Sequence, residues 1–255
     1  MATRDDIVDF FGTSPTTKFE KYLGLPPVIG RAKKKALQEI KDWVWKKLQG
    51  WKEKLLSQAG REVLLKAVIQ AIPTYAMSVF KFHAGLCEEI RAMANSFWWG
   101  KRRAGRKIHW LNKKELVRAK SDGGMGFKDL QLFNRALLAK QLWRLLQNPN
   151  SLVHRFLKSK YFPHTNVLEA TIRGNASYLW RSVCDTVGFL RSGLRWRVGV
   201  GSHINIWQDS WLSVPPSFKV ITTAPVLPEI ALVESLIDAE SMTWKKSLIE
   251  QIFLP

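Results

Sequence analysis

Apolar residues recur through most of this chain at three- and four-residue steps, a period that predicts amphipathic helices. Ala36, Leu37, Ile40, Val44, Leu48 and Trp51 make one face of a first helix opening at Arg31, which Gly50 is placed to end or bend. A second helix opens near Gly60 with Leu64, Ala67, Val68, Ala71 and Ile72 on one face, and stops or kinks at Pro73. A third apolar stretch over about 86–99 closes on Phe97-Trp98-Trp99-Gly100. The charged run Lys101–Lys107 reads as an exposed linker, and a short helix over about 111–119 follows it. The strongest helical pattern covers about 129–147. Asp129 suits its positive end, Leu130, Phe133, Leu137, Leu138, Leu142 and Leu145 form its stripe, and Asn148-Pro149 stops it. Shorter helical segments are expected at 151–161 and 177–190.

Two regions break that period. Residues 14–30 carry Pro15, Gly24, Pro26, Pro27 and Gly30 around Tyr22-Leu23-Gly24-Leu25, the composition of a strand or loop. Around residue 200 the period becomes two. Leu194, Trp196 and Val198 alternate with Arg195 and Arg197, and Ile204 and Ile206 alternate with His203 and Asn205, about Gly199-Val200-Gly201-Ser202. That predicts a small β-hairpin over 194–207. The tail holds Pro215, Pro216, Pro225 and Pro228, a weak helical pattern from 230, and an uncapped end that reads as a truncation. The fold class expected is mainly α: a helical bundle over 31–110, a second helical segment over 111–192, and the hairpin with its Pro-rich tail over 193–255, after a short strand-bearing segment 1–30.

Composition narrows the functions this pattern can serve. The 255 residues are 46% hydrophobic and 24% charged, which is globular, with room for one large or two small domains. No run of about 18 apolar residues exists and the start is polar, so neither a membrane span nor a secretory signal is expected. Two cysteines, Cys87 and Cys184, cannot make a disulfide framework or a four-ligand zinc site, so a reducing compartment, nuclear or cytoplasmic, is the default. Charge is the positive clue. Forty Lys+Arg against 21 Asp+Glu give +19, with 22 basic and 7 acidic residues in 31–120 and 12 and 4 in 121–200, between slightly acidic ends. A localised field of that size favours a polyanion, because each neutralised phosphate releases counterions.

Catalytic patterns are missing. Asp5-Asp6 has no apolar strand before it and no third carboxylate nearby, so it reads as an exposed acidic helix turn instead of a metal site. The five histidines are scattered, and no nucleophile elbow or Gly-Lys-Ser/Thr phosphate loop occurs. Gly123-Gly124-Met125-Gly126 could suggest a phosphate cradle, but no strand leads into it and a helix-connecting turn fits better. No catalytic residue, metal ligand or cofactor is expected. Binding features are richer. Lys34, Lys41 and Trp45 fall at steps of seven and four beside the apolar stripe, where lysines reach phosphates and an indole either stacks on nucleic acid or covers the core edge. Glu62 and Lys66 stand at i and i+4, the spacing of a surface ion pair, while Arg61 is freer to reach outward. Of the twelve tryptophans, Trp143, Trp196, Trp207 and Trp211 sit inside apolar patterns and are expected in the core.

The order of these segments resembles the C-terminal part of a plant LINE-type (non-LTR) retrotransposon reverse transcriptase. The resemblance rests on Lys21-Tyr22-Leu23-Gly24-Leu25-Pro26, Trp45-Lys46-Lys47-Leu48-Gln49-Gly50-Trp51, Ala59–Val68, Ala71-Ile72-Pro73-Thr74-Tyr75-Ala76-Met77, Phe97-Trp98-Trp99-Gly100, Lys107-Ile108-His109-Trp110 and Gly123–Phe127. Ala136–Gln141, Lys160-Tyr161-Phe162, Trp196-Arg197-Val198-Gly199 and Ile206-Trp207 continue it, so it runs from about 4 to 212 in order. It implies that residues 1–30 close a polymerase palm and that 31–110 form the thumb, which holds the template–primer duplex. The catalytic aspartates, the zinc-binding segment and the RNase H domain of such enzymes have no counterpart here. The resemblance therefore implies sequence-independent binding of an RNA or DNA duplex through its phosphates, with no catalysis by this chain alone. Lys34, Lys41, Lys46, Lys47, Lys52, Arg61 and Lys66 would meet the backbone and Trp45 would lie against the duplex. A polymerase palm in a longer chain is a further implied partner. Two alternatives stay open: a fragment of an RNA-directed DNA polymerase, and a non-functional remnant of the element.

Overall fold

Where the three–four spacing is most regular, the chain forms helix α1 (Lys33–Lys52), and Leu37, Ile40, Val44 and Leu48 on its stripe are each at most 1% exposed. The computed structural model describes residues 33–52, 56–100, 113–172, 174–214, 217–221 and 231–253. The expected strand at Tyr22–Leu25, the Asp5-Asp6 pair and the charged linker 101–107 lie outside them. Gly50 neither ends nor bends α1 out of register; the helix runs through it to Lys52, with nothing within 4 Å of where a Cβ would stand.

Helix α2 (Gln58–Leu64) starts where the Ser57 hydroxyl accepts from the Gly60 amide at 3.2 Å. It passes into a single π turn, Leu65–Ile69, closed by Gln70 N donating to the Leu65 carbonyl at 3.0 Å. That extra residue rotates the apolar face. Leu65 and Ile69 are buried, Leu64 and Ile72 pack partly against the core, and Ala67 and Ala71 face solvent, unlike the expected stripe. The larger side chains bury more apolar area, and the π turn puts them inward. Pro73 does stop the helix and sits at the start of α3 (Thr74–Val79). In α4 (Ala84–Trp99) His83 Nδ1 accepts from the Leu86 amide at 3.0 Å, and the turn after Trp99 uses Gly100 at φ 67°. Helix α1 packs on α4, and with α2, α3 and Leu130 they enclose one core.

Helix α5 (Lys113–Val117) and a 3₁₀ turn (Lys120–Asp122) lead into the glycine turn. Gly124 is there by necessity: a Cβ on it would stand 2.2 Å from the Arg118 carbonyl oxygen. Helix α6 (Leu130–Gln147) is capped by Asp129, whose carboxylate accepts from the amides of Gln131 and Leu132 at 2.9 and 3.2 Å. Its buried face is Leu130, Leu138, Leu142 and Leu145, with Asn134 among them. Helices α7 (Leu152–Tyr161) and α8 (Tyr178–Cys184) are joined by a pile of rings in which Trp180 stacks on Tyr161 and Phe162 at 4.9 and 5.4 Å.

The chain divides into two compact units, Met1–Thr186 and Val187–Pro255. The second contains α9 (Val187–Gly193), a 3₁₀ turn (Val233–Leu236) and α10 (Lys246–Ile252), and its core is Ile204, Ile206, Val233 and Leu236 with Leu248 and Ile249 of α10 packed on it. The class is mainly α, but the hairpin over 194–207 does not form. Ile206 N donates to Ala231 O at 2.9 Å and Ile204 O accepts from Val233 N at 2.9 Å, while Trp196 N turns to Ser210 O at 2.7 Å. Among the described residues only isolated antiparallel bridges remain, Asn205 with Leu232 and Ile237 with Trp244. Gly201, at φ 80°, lets the 233–234 backbone approach where a hairpin turn was expected. The tryptophans also depart from expectation. Trp143 and Trp196 are exposed and Trp207 and Trp211 half-buried, whereas among the described residues Trp98 and Trp180 are the deeply buried ones.

Candidate nucleic-acid interface

Burying one stripe of α1 leaves the rest of its surface to charge and to two indoles, Trp43 at 38% exposed and Trp45. Trp45 is 49% exposed, and Lys46 and Lys47 are exposed beside it. At about 100° per residue, Lys41 and Trp45 share one flank of the stripe, Lys46 points directly away from the core, and Lys47 lies on the other flank. Lys41 is not free: its ammonium meets Glu89 of α4 at 2.6 Å, and that hydrogen bond holds the Glu89 carboxyl below its usual range. Both groups face water, so the pair is weak and screened by salt. The side chains of Lys34 and Lys52 lie outside the described residues.

The second helix turns its cations inward. Lys66 donates to Glu62 at 2.8 Å and to the carbonyl of Met125 at 2.5 Å, and lies 5.2 Å from the centre of the Phe127 ring. Glu62 is shared with Lys120, also at 2.8 Å. Lys120 first and Lys66 second hold its carboxyl below the ordinary range. Arg61 Nη1 donates to the Trp98 carbonyl at 3.4 Å, at the negative end of α4. Arg61 and Lys66 therefore tie α2 to α4 and to the glycine turn. Of the eight residues expected to cradle a duplex, the six with described side chains do not share one face: Lys41, Trp45, Lys46 and Lys47 spread over both flanks and the outer side of α1, and Arg61 and Lys66 find acceptors within the chain. The glycine turn is no phosphate cradle either. The amides of Gly124, Met125, Gly126 and Phe127 are all spent on carbonyls of Ala119, Glu115, Arg118 and Leu116 at 2.8–3.1 Å.

A second cationic surface escaped the pattern reading. Residues 130–168 contain six Lys and Arg and no Asp or Glu. Lys140 and Arg144 on α6, and Arg155 and Lys158 on α7, are exposed and make no ion pair among the described residues. Counting charge helix by helix would have found it; counting by region spread it out. Among the described residues no group of three His, Cys, Asp or Glu stands close enough to hold a metal ion. Burial pushes the thiols of Cys87 and Cys184 up to about 11, so both are protonated near neutral pH. Among the described residues no helix is long and apolar enough to cross a membrane.

No family model matches the chain. It is 41% identical over 143 residues to an uncharacterized mitochondrial protein of Arabidopsis thaliana, a match covering 56% of this chain and 93% of that one. It is 32% identical over 201 residues to a putative ribonuclease H protein of the same plant, covering 77% of this chain and 32% of the relative. The chain thus spans about a third of that longer protein.

Proposed function

The chain belongs to the family of the Arabidopsis mitochondrial relative, and from that footing we propose a retroelement-related protein that holds a nucleic-acid duplex through its phosphates without catalysing a reaction alone. The observation that carries this reading is the net positive charge of residues 31–200, with Lys46 on the outer side of α1 and Lys47 on one flank, both facing solvent and in no ion pair among the described residues. The motif order that resembles a reverse-transcriptase thumb supports it, as does similarity to a relative named for ribonuclease H.

Lys46 and Lys47 make the primary phosphate contacts. Lys41 joins them by exchanging Glu89 for a phosphate, an exchange an exposed ion pair resists little. Trp45, on the flank of Lys41, lies along the duplex edge. Arg61 and Lys66 keep α2 seated so that α1 presents this face. Phosphate contacts fix position and carry no sequence information, so binding is indifferent to sequence.

Fluorescence anisotropy with two duplexes of unrelated sequence tests the proposal. Equal affinities that fall steeply as salt rises are expected. An affinity that barely responds to salt, or a strong preference for one sequence, overturns it. Primer extension with the purified chain is expected to give no product.

A further inference from the structure

The first unit carries a trough that the duplex-binding reading leaves unused. Helices α3, α6, α7 and α8 surround a hollow of about 690 Å³ walled by Val79, Leu145, Val153, Leu157, Leu179 and Val183. A second hollow of about 460 Å³ adjoins it, sharing Val153, Leu157 and Leu179 and extending along Leu152 and Phe156 to Lys160. Apolar side chains stand open at its rim: Leu152 is 80% exposed, Phe156 61% and Val153 60%. Each costs free energy in water unless something covers it. Arg144 lines the first hollow and Lys160 the second, Lys140 stands one turn before Arg144, and among the described residues no carboxylate lines either one.

These features select among occupants. A second copy of the same face would bring Arg144 and Lys160 against their own kind, within a stretch that has no acidic residue from 130 to 168. Val and Leu make the apolar wall of the first hollow; of the rings that also line the trough, Tyr75, Phe156 and Tyr161, the last already has one face stacked on Trp180, so bases would find few free ring faces. A hollow of about 690 Å³ takes side chains projecting from a rod, whereas a flat lipid surface leaves it unfilled. Apolar walls with a cationic rim match a helix that is apolar on one face and acidic on its flanks, seated through anchors at i, i+3, i+4 and i+7. We propose that the trough bounded by α3, α6, α7 and α8 is a docking site for an acidic amphipathic helix of a partner protein. Phe156 and Leu152 cover its apolar face, and Arg144 and Lys160 meet its carboxylates.

The test uses the full chain and a fluorescein-labelled helical peptide of about five turns, with leucine at the anchor positions and glutamate on both flanks. Saturable binding at near-physiological salt is expected. Phe156→Glu and Arg144→Glu should each weaken it about tenfold or more. Leu152→Glu, at the most exposed of the apolar rim positions, serves as a second variant that cannot disturb the core. The same peptide with lysine in place of glutamate should not bind, and Phe156→Glu should leave duplex affinity intact. Absence of saturable binding, equal binding of the lysine peptide, or undiminished binding by Phe156→Glu and Leu152→Glu overturns the proposal. So does finding that Phe156 instead mediates self-association, single-strand oligonucleotide binding or adsorption to anionic vesicles.

Discussion

The ammonium of Lys66 donates to the carbonyl oxygen of Met125 at 2.5 Å across 59 residues of chain. With Glu62 on the same nitrogen and the Phe127 ring above it, Lys66 is a clamp between α2 and the glycine turn. Replacing it by methionine keeps the stem and removes the donor. Lys66→Met is expected to lower stability by about 1–2 kcal/mol, the cost of losing charge-assisted hydrogen bonds in a half-buried place. Chemical denaturation measures it, and an unchanged midpoint would return Lys66 to the solvent-facing role that helical spacing suggests.

Asn134 does comparable work in the core of the first unit. Its side-chain oxygen accepts from Phe82 N at 2.8 Å, and its amide donates to the carbonyls of Met77 and Phe80 at 2.6 and 2.9 Å. The Met77 carbonyl belongs to the last turn of α3, and Phe80 O and Phe82 N lie between α3 and α4, so no helical partner satisfies any of the three. Asn134→Leu leaves them buried and unpaired, and a loss of about 2–4 kcal/mol is expected from thermal or denaturant unfolding.

Two glycines predict opposite signs. At Gly124 the Arg118 backbone occupies the place of a Cβ, so Gly124→Ala must displace the turn and should destabilise by about 2 kcal/mol or more. At Gly50 the site is open and helical, so Gly50→Ala should stabilise by about 0.5–1 kcal/mol. Measuring both melting temperatures on the same preparation checks the pair.

The pH response of the Glu62 cluster has a definite direction. Lys120 and Lys66 depress the folded-state pKa of Glu62, so its contribution is complete above the unfolded value, about 4.3. It disappears as pH falls through the lower folded value. The stability gap between the wild type and Glu62→Gln, at most about 1 kcal/mol, should close below about pH 4. A gap that widens with acid would contradict the assignment.

What the sequence made legible follows from the range of each interaction. The stripe of α1 and the Asp129 cap of α6 are local, set within a turn or two, and both appear as expected. The π turn at Leu65–Ile69 is equally local but leaves no periodic mark; it shows only as bulky Leu65 and Ile69 displacing Ala67 and Ala71. The alternation around residue 200 misleads because Ile204 and Ile206 find their partners at 231–233, beyond any short-range pattern. The candidate interface divides in the same way. Net charge was readable, and so was the Glu62–Lys66 spacing. The partners that Lys41, Arg61 and Lys66 find, namely Glu89, Trp98 and Met125, are brought near only by tertiary packing.

The most direct test of phosphate holding by the outer face of α1 is the salt dependence of duplex affinity for the wild type beside Lys46→Glu/Lys47→Glu. A straight log–log plot is expected, with a slope shallower by about two in the variant as two phosphate contacts are lost. Superimposable slopes, or a wild-type affinity indifferent to salt, would contradict it.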